Sequence, residues 1–250
     1  MIAEISDARG KKRKVDFSKP MDISIPLRAG AENVNAFYMP PVKIQPFRAG
    51  EFVGDVNQGG SCNVMDIFFN PHGNGTHTEC VGHISKERYT INQCLQTFFF
   101  FAILISVKPV REDGDLLIRR EQLENALPEE KPEALIIRTI PNGTEKLNFQ
   151  YSGTNPAYLH AEAALFLRES GIKHLLLDLP SVDREDDGGK LMAHHAFWNY
   201  PSATRLDATI TELIFVPDEI PDGNYFLNIQ IASFENDASP GKPVLYPFID

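Results

Sequence analysis

Residues 134–139, ALIIRT, and residues 174–178, HLLLD, are two short and almost unbroken apolar runs, with residues 161–170, AEAALFLRES, between them. An apolar run of this length without polar alternation reads as a strand buried on both faces, the pattern of parallel sheets. The intervening segment reads as a helix, with Asn155-Pro156 near its start and Gly171 just past its end, the punctuation expected of helix termini. Strand, helix and strand in that order predict a parallel pair joined by a right-handed crossover, so the sheet is covered by helix.

Further strands lie on either side of this unit. Residues 209–216 (TITELIFV) and 225–233 (YFLNIQIAS) both read as strands, the second with alternating Leu227, Ile229 and Ile231 and an Asp222-Gly223 turn before it. Residues 98–107 (FFFFAILISV) read as a central strand whose four phenylalanines are core, and residues 120–127 as a helix ended by a proline-bounded loop. The expected class is α/β with a mixed, partly parallel sheet. No Ser/Gly linker, repeat or low-complexity stretch divides the chain, so residues 1–250 are read as a single domain with elaborated loops. Residues 30–60 hold Pro40, Pro41 and Pro46 with little periodicity, which predicts an irregular arm over the surface or onto a partner subunit.

Composition narrows the partners. With 24 basic against 34 acidic residues the formal net charge is −10, which argues against a nucleic-acid backbone or an anionic membrane and leaves a small molecule as the expected partner. The longest apolar run, residues 98–106, is too short to span a bilayer, and the N-terminal stretch MIAEISDARGKKRK is charged where a secretory signal would be apolar. Cys62, Cys80 and Cys94 are an odd count without C-x-x-C spacing, so neither a disulfide framework nor a zinc knuckle is indicated. A soluble, cytoplasmic protein is the expectation, with Lys11 to Lys14 a solvated basic run.

Chemistry concentrates in residues 72–83, HGNGTHTECVGH, and in His194-His195. On an extended backbone His77, Glu79 and His83 all project to one side, and imidazole with carboxylate on one face makes a site for zinc, manganese or iron. Gly73, Gly75 and Gly82 suit a segment needing non-standard backbone angles. Distant ligands are expected from His194 and Glu212. Glu212 shares a face with Ile210 and Ile214 on an otherwise apolar strand, where a buried carboxylate needs a cation or strong donors; on an edge strand it would instead face water. Asp183 follows a buried parallel strand and either orients a ligand or loop, or is an ordinary turn residue. Cys80 alternates away from His77 and Glu79, which argues against a thiol nucleophile. Phe68, Phe69 and Trp198 form an aromatic wall for an aryl substrate or belong to the core.

These residues resemble the metal-dependent cyclase family, which includes bacterial kynurenine formamidases (arylformamidases) and isatin hydrolases. Its signature H-x-G-T-H-x-D-x-P-x-H is matched by Gly75-Thr76-His77-x-Glu79 and His83. Leu135 to Thr139, Asp178 to Asp183, His194 to Trp198 and Glu212 resemble further family segments in the same order, and the tail around residues 223–245 is similar to its closing strands. There are departures. The first family histidine would fall at Gly73, so His72 reaches its place only with a one-residue bulge at Gly73-Asn74. Glu79 replaces an aspartate, Val81 stands where the family has proline, and extra residues around 200–207 enlarge a nearby loop.

The resemblance implies a swivelling β/β/α fold and a divalent metal held by His72, His77 and Glu79, with His83, His194 and Glu212 closing the site. One or two ions are implied, zinc first and manganese or iron as alternatives, and His83 or His194 is either ligand or proton carrier. It further implies a homo-oligomer, dimer or tetramer, and metal-assisted hydrolysis of an amide or cyclic amide, in which an imidazole moves a proton from water to the leaving nitrogen. The competing readings are a metal-stabilised binding protein without turnover and a metal-dependent dehydratase or lyase of the same fold.

Overall fold

The computed structural model describes residues 1–7, 10–129 and 131–249. Strands β1 (Ile2–Ser6) and β2 (Lys12–Asp16) form an antiparallel pair, followed by the short β3 (Met21–Asp22). The stretch expected to be irregular leads instead into a small β-arm. Strand β4 (Lys43–Pro46) pairs antiparallel with β7 (Met65–Phe68), and between them β5 (Arg48–Ala49) pairs with β6 (Phe52–Val53). These strands are two to four residues long and most of their side chains are exposed, so no burial alternation marks them in the sequence.

A one-turn helix α1 (Pro71–Asn74), strand β8 (His77–Glu79), a 3₁₀ turn over Val81–His83 and helix α2 (Ile91–Cys94) come next. The rest of the chain runs β9 (Phe99–Val107), β10 (Val110–Glu112), β11 (Asp115–Ile118), α3 (Arg120–Ala126), β12 (Ala134–Thr139), β13 (Tyr158–Leu159) and α4 (Ala161–Glu169). It then continues through β14 (His174–Leu177), α5 (Met192–Trp198), β15 (Thr209–Glu212), β16 (Gly223–Ile231) and β17 (Ala238–Ile249).

Seven strands close into a mixed barrel, in the order β17-β16-β9-β12-β14-β15-β8 and back to β17. Strands β9, β12, β14 and β15 are mutually parallel, and every other pairing around the ring is antiparallel. The parallel unit read from ALIIRT and HLLLD is therefore present, joined through α4. Alternation divides the apolar residues into two cores. Ile136, Leu176, Leu104, Leu227 and Leu245 fill the barrel interior. Leu135, Ile137, Leu175 and Leu177 face outward onto Ala163, Ala164 and Leu167 of α4 and Ala193, Phe197 and Trp198 of α5. The expectation of a swivelling β/β/α architecture with a mixed sheet is met.

Several local expectations are corrected. Helix α4 starts after His160, whose imidazole accepts from the Glu162 amide; Asn155 takes a left-handed conformation (φ 47°), so Pro156 leads into β13 instead of the helix. Phe98 and Phe99 are exposed, and only the later part of that run is enclosed. Strand β15 stops at Glu212 because Leu213 is left-handed (φ 53°). That break sends Ile214 into the interior core while Ile210 lies in the outer one, so the two isoleucines do not share a face. No helix among the described residues is long and apolar enough to cross a membrane.

Candidate metal centre

The closing seam of the barrel carries the site. In the antiparallel β15–β8 pair, Ile210 lies opposite Glu79 and Glu212 opposite His77, so all four share the outer face. Thr78 and Thr211 turn inward and hydrogen bond to each other at 2.9 Å. His77, Glu79, His194 and Glu212 are all essentially removed from solvent. Glu212 is buried at the site and does not face water.

His77 and His194 are each oriented through one nitrogen so that the other is presented. The His77 Nδ1–H donates to the Gly75 carbonyl (3.0 Å), leaving Nε2 3.3 Å from Glu212 Oε2. His194 Nδ1 donates to Asp183 Oδ2 (2.6 Å), leaving Nε2 3.2 Å from Glu79 Oε1. Asp183 also accepts from the amides of Ala193 and His194 (2.7 and 3.1 Å), capping α5 at the turn that holds the imidazole. It is an orienting residue, the first of the two readings the sequence left open. Trp198 is core: its ring lies 5.4 Å from that of His194 and its Nε1–H donates to the Ala208 carbonyl.

His72 does reach the site, but not through a bulge. It sits on α1, whose N-cap Asn70 accepts from the His72 amide. Its Nδ1 lies 3.1 Å from Glu79 Oε2 and its Nε2 2.8 Å from Asp237 Oδ2. His83 also arrives differently from expectation, on the 3₁₀ turn after β8 in place of an extension of that strand. Its Nδ1 lies 3.8 Å from Glu79 Oε2 and 3.5 Å from Asp237 Oδ2, its ring stacks 4.4 Å from that of His72, and its side chain is 30% exposed. Gly73 and Gly82 serve close approach in place of unusual dihedrals, whereas Gly75 is extended and in ordinary contact with its neighbours. A Cβ on Gly73 would collide with Met39 and the Ala36 carbonyl, and one on Gly82 with the Tyr89 carbonyl.

Asp237, which sequence reasoning did not single out, lies in the polar loop before β17. An isolated acid in Glu235-Asn236-Asp237 carries no local signal; its place is set by the pairing of Ala238 with Glu79 across the seam.

The electrostatics demand positive charge. Burial by itself would raise Glu79, yet His83, His194 and His72 hold it well below the usual carboxylate range. Burial would lower His72, but Asp237 and Glu79 raise it to about 10; His194 is likewise raised to about 10, against its burial, by Asp183 and Glu79. Two buried atoms, His77 Nε2 and Glu79 Oε2, have charged neighbours close by but no hydrogen bond of acceptable geometry. A buried imidazole nitrogen and a buried carboxylate oxygen left without a hydrogen bond fit a cation, and imidazoles that give up their extra proton are, with carboxylates, a donor set for a divalent ion. Ligand atoms of His72, His77 and Glu79, of Glu79, His83 and His194, and of His72, His83 and Asp237 lie, within each group, no more than 4.8 Å from one another. Cys80 points into the barrel interior, where the neighbouring Cys94 and burial hold its thiol protonated.

Near the site, Pro40, Pro41, Lys43, Phe68, Phe69 and Asn70 line a groove of about 490 Å³. Phe68 is exposed and Phe69 half-buried, so neither is core.

Comparison with known proteins gives concordant results. The family described as "Putative cyclase" matches residues 21–184. The kynurenine formamidase of Bacillus cereus (strain ATCC 10987 / NRS 248) is 31% identical over 192 residues, which cover 76% of this chain and 83% of that enzyme. A solved structure described as a potential metal-dependent hydrolase with cyclase activity has a TM-score of 0.66 at 16% identity, covering 91% of this chain and 97% of its own. Isatin hydrolase A from Labrenzia aggregata has a TM-score of 0.63 at 14% identity, covering 91% and 93%. At such identities the structural likeness speaks for the fold.

Proposed function

The chain belongs to the cyclase family, its kynurenine formamidase relatives support a hydrolase, and from that premise we propose that it hydrolyses an amide with the help of a divalent metal. The substrate class that fits is an N-formyl aryl amine or a small cyclic amide. The observation that carries this reading is the pair of buried, unbonded atoms His77 Nε2 and Glu79 Oε2 at the centre of four imidazoles.

His72, His77, Glu79, His194 and Glu212 would hold the metal, with Glu79 placed to serve two ions if two are bound. Zinc suits imidazole and carboxylate donors, and manganese or iron would use the same set. A divalent ion supplies Lewis acidity toward a carbonyl and lowers the pKa of water toward neutrality. The chain's own residues do the rest. The Gly75 carbonyl and Asp183 fix the rings of His77 and His194, and the Val182 amide donates to Glu212 Oε1 (2.9 Å), holding that carboxylate in place. Enclosure of His194 between Asp183 and Glu79 suits a ligand, whereas His83, the most exposed of the imidazoles facing Glu79, is placed to carry a proton between water and the leaving nitrogen. Phe68 and Phe69 offer an apolar wall to an aryl group. The exposed Ile44, Met65, Ile67 and Phe68 of the arm fit an interface with a second copy of the chain, in a dimer or tetramer that solution mass would report.

Elemental analysis of the purified protein, followed by assay of N-formyl aryl amines, cyclic imides and lactones with and without chelator, tests the proposal. Hydrolysis that chelator abolishes and added metal restores is expected. Bound metal with no turnover across the panel would favour a non-catalytic binding protein, and product lacking solvent oxygen would indicate a dehydratase or lyase.

A further inference from the structure

His72 faces the site with a different nitrogen from His77 and His194. His77 and His194 are tied down through Nδ1 and present Nε2. His72 is the reverse: Nε2 is tied to Asp237 Oδ2 at 2.8 Å and Nδ1 is turned toward Glu79 Oε2 at 3.1 Å. A helical turn in place of an extended approach brings the ring in from another side, and the carboxylate on its far edge is what fixes that orientation.

Asp237 is built into this position. Its backbone carbonyl accepts from the Cys80 amide (3.0 Å), within the segment that carries Glu79 and His83. The neighbouring Asn236 carbonyl accepts from the Ile91 amide (2.8 Å), and the Glu235 carboxylate accepts from Asn92 Nδ2 (2.8 Å). Gly82 is what lets the loop come so close, since a Cβ there would stand 3.2 Å from the Asp237 Cβ besides striking the Tyr89 carbonyl. A loop anchored at three successive residues does not place a carboxylate against two stacked imidazoles by chance of side-chain freedom.

We propose that Asp237 is a positioning residue of the metal centre, which accepts the Nε2–H of His72 and thereby selects Nδ1 of that ring as the donor to the ion. The proposal rests on the metal reading of the site. A carboxylate behind a ligating imidazole fixes its tautomer and raises its basicity, and loss of such a partner weakens metal binding about 10- to 100-fold. In this chain Asp237 supplies to His72, 165 residues away, what Asp183 supplies to His194, 11 residues away, and to the opposite nitrogen.

The experiment uses ¹⁵N-histidine-labelled, zinc-loaded protein, with zinc affinity measured by chelator competition on wild type, Asp237→Ala, Asp237→Asn and His77→Ala. In wild type, His72 is expected to be zinc-bound through Nδ1 with a protonated Nε2, while His77 and His194 are bound through Nε2. Asp237→Ala is expected to bind zinc about 10- to 100-fold more weakly, with the isosteric Asp237→Asn intermediate and folded should the alanine variant fail to fold. Wild-type His72 bound through Nε2, or affinities of both Asp237 variants within twofold of wild type, would overturn the assignment while leaving the metal reading intact. Zinc affinity that is absent from wild type, or unchanged in His77→Ala, would sink the metal reading and this inference with it.

Discussion

On the proposed metal reading, the charge balance of the site sets how many protons an ion would displace. Without an ion, His72 and His194 are held at about 10, each against its own burial, by Asp237 with Glu79 and by Asp183 with Glu79 respectively. At pH 8 both rings therefore carry two protons, and each must give one up to become a ligand. Because His72 and His194 belong to separate groups of ligand atoms, filling each group with a divalent ion should release about one proton, about two in all, so each affinity should rise about 10-fold per pH unit from pH 7 to 9 and level off near pH 10. The direction follows from the sign of the shift: groups raised above their usual value hold protons over this range, and acid competes with the metal. Isothermal titration of the metal-free protein with zinc at pH 8, in buffers of different ionisation enthalpy, reads the stoichiometry directly as a slope. His194→Gln should reduce the slope from about two to about one. An affinity independent of pH between 7 and 9, or a slope near zero in wild type, would refute the reasoning, because it would mean that these two rings are not the ones the ion displaces protons from.

Three further outcomes are expected. Lys146 Nζ is 2.7 Å from Asp178 Oδ2 and also donates to Thr139 and Asn142, so Lys146→Met strands a fully buried carboxylate and should cost about 3–5 kcal/mol in urea unfolding; Lys146→Met with Asp178→Asn should recover part of it, and an unchanged midpoint in the single variant would count against the buried pair. His174, buried against Phe100 and bonded to Thr209, is pushed down to about 3 by burial and Lys173, so the folded state stays neutral where the unfolded chain protonates below about 6.5; stability should fall as pH drops through that window, by about 2 kcal/mol at pH 5, and His174→Asn should flatten the profile. Cys80→Ala should retain turnover, since the thiol faces the barrel core, and complete loss of activity in a folded variant would return it to candidacy.

The sequence was most informative where local pattern and burial agree. The central residues of ALIIRT and HLLLD, Leu135 to Ile137 and Leu175 to Leu177, are enclosed on both faces between two cores and are all apolar, so the parallel pair could be read directly. TITELIFV was overread because one left-handed residue, Leu213, interrupts it. Leucine gives no hint of that conformation, which is held by the Leu213 amide donating to the Leu179 carbonyl and by Thr76 Oγ1 donating to the Leu213 carbonyl. At the site, alternation placed His77 and Glu79 correctly because they lie on one strand, but gave the wrong route for His72 and His83, which arrive on helical turns. Asp237 was invisible for a different reason. Nothing in its neighbours distinguishes it, and only the long-range register of β17 against β8 delivers it.

That seam also has a bearing on biosynthesis. Strand β8 is made early and its partner β15 late, but the flank that encloses it, residues 238–240 of β17, leaves the ribosome after all the other strands have done so. A nascent polypeptide cannot hold strand β8 between its two neighbours until synthesis has passed residue 240, and a ribosome stalled upstream would display a β8 seam still open on one side.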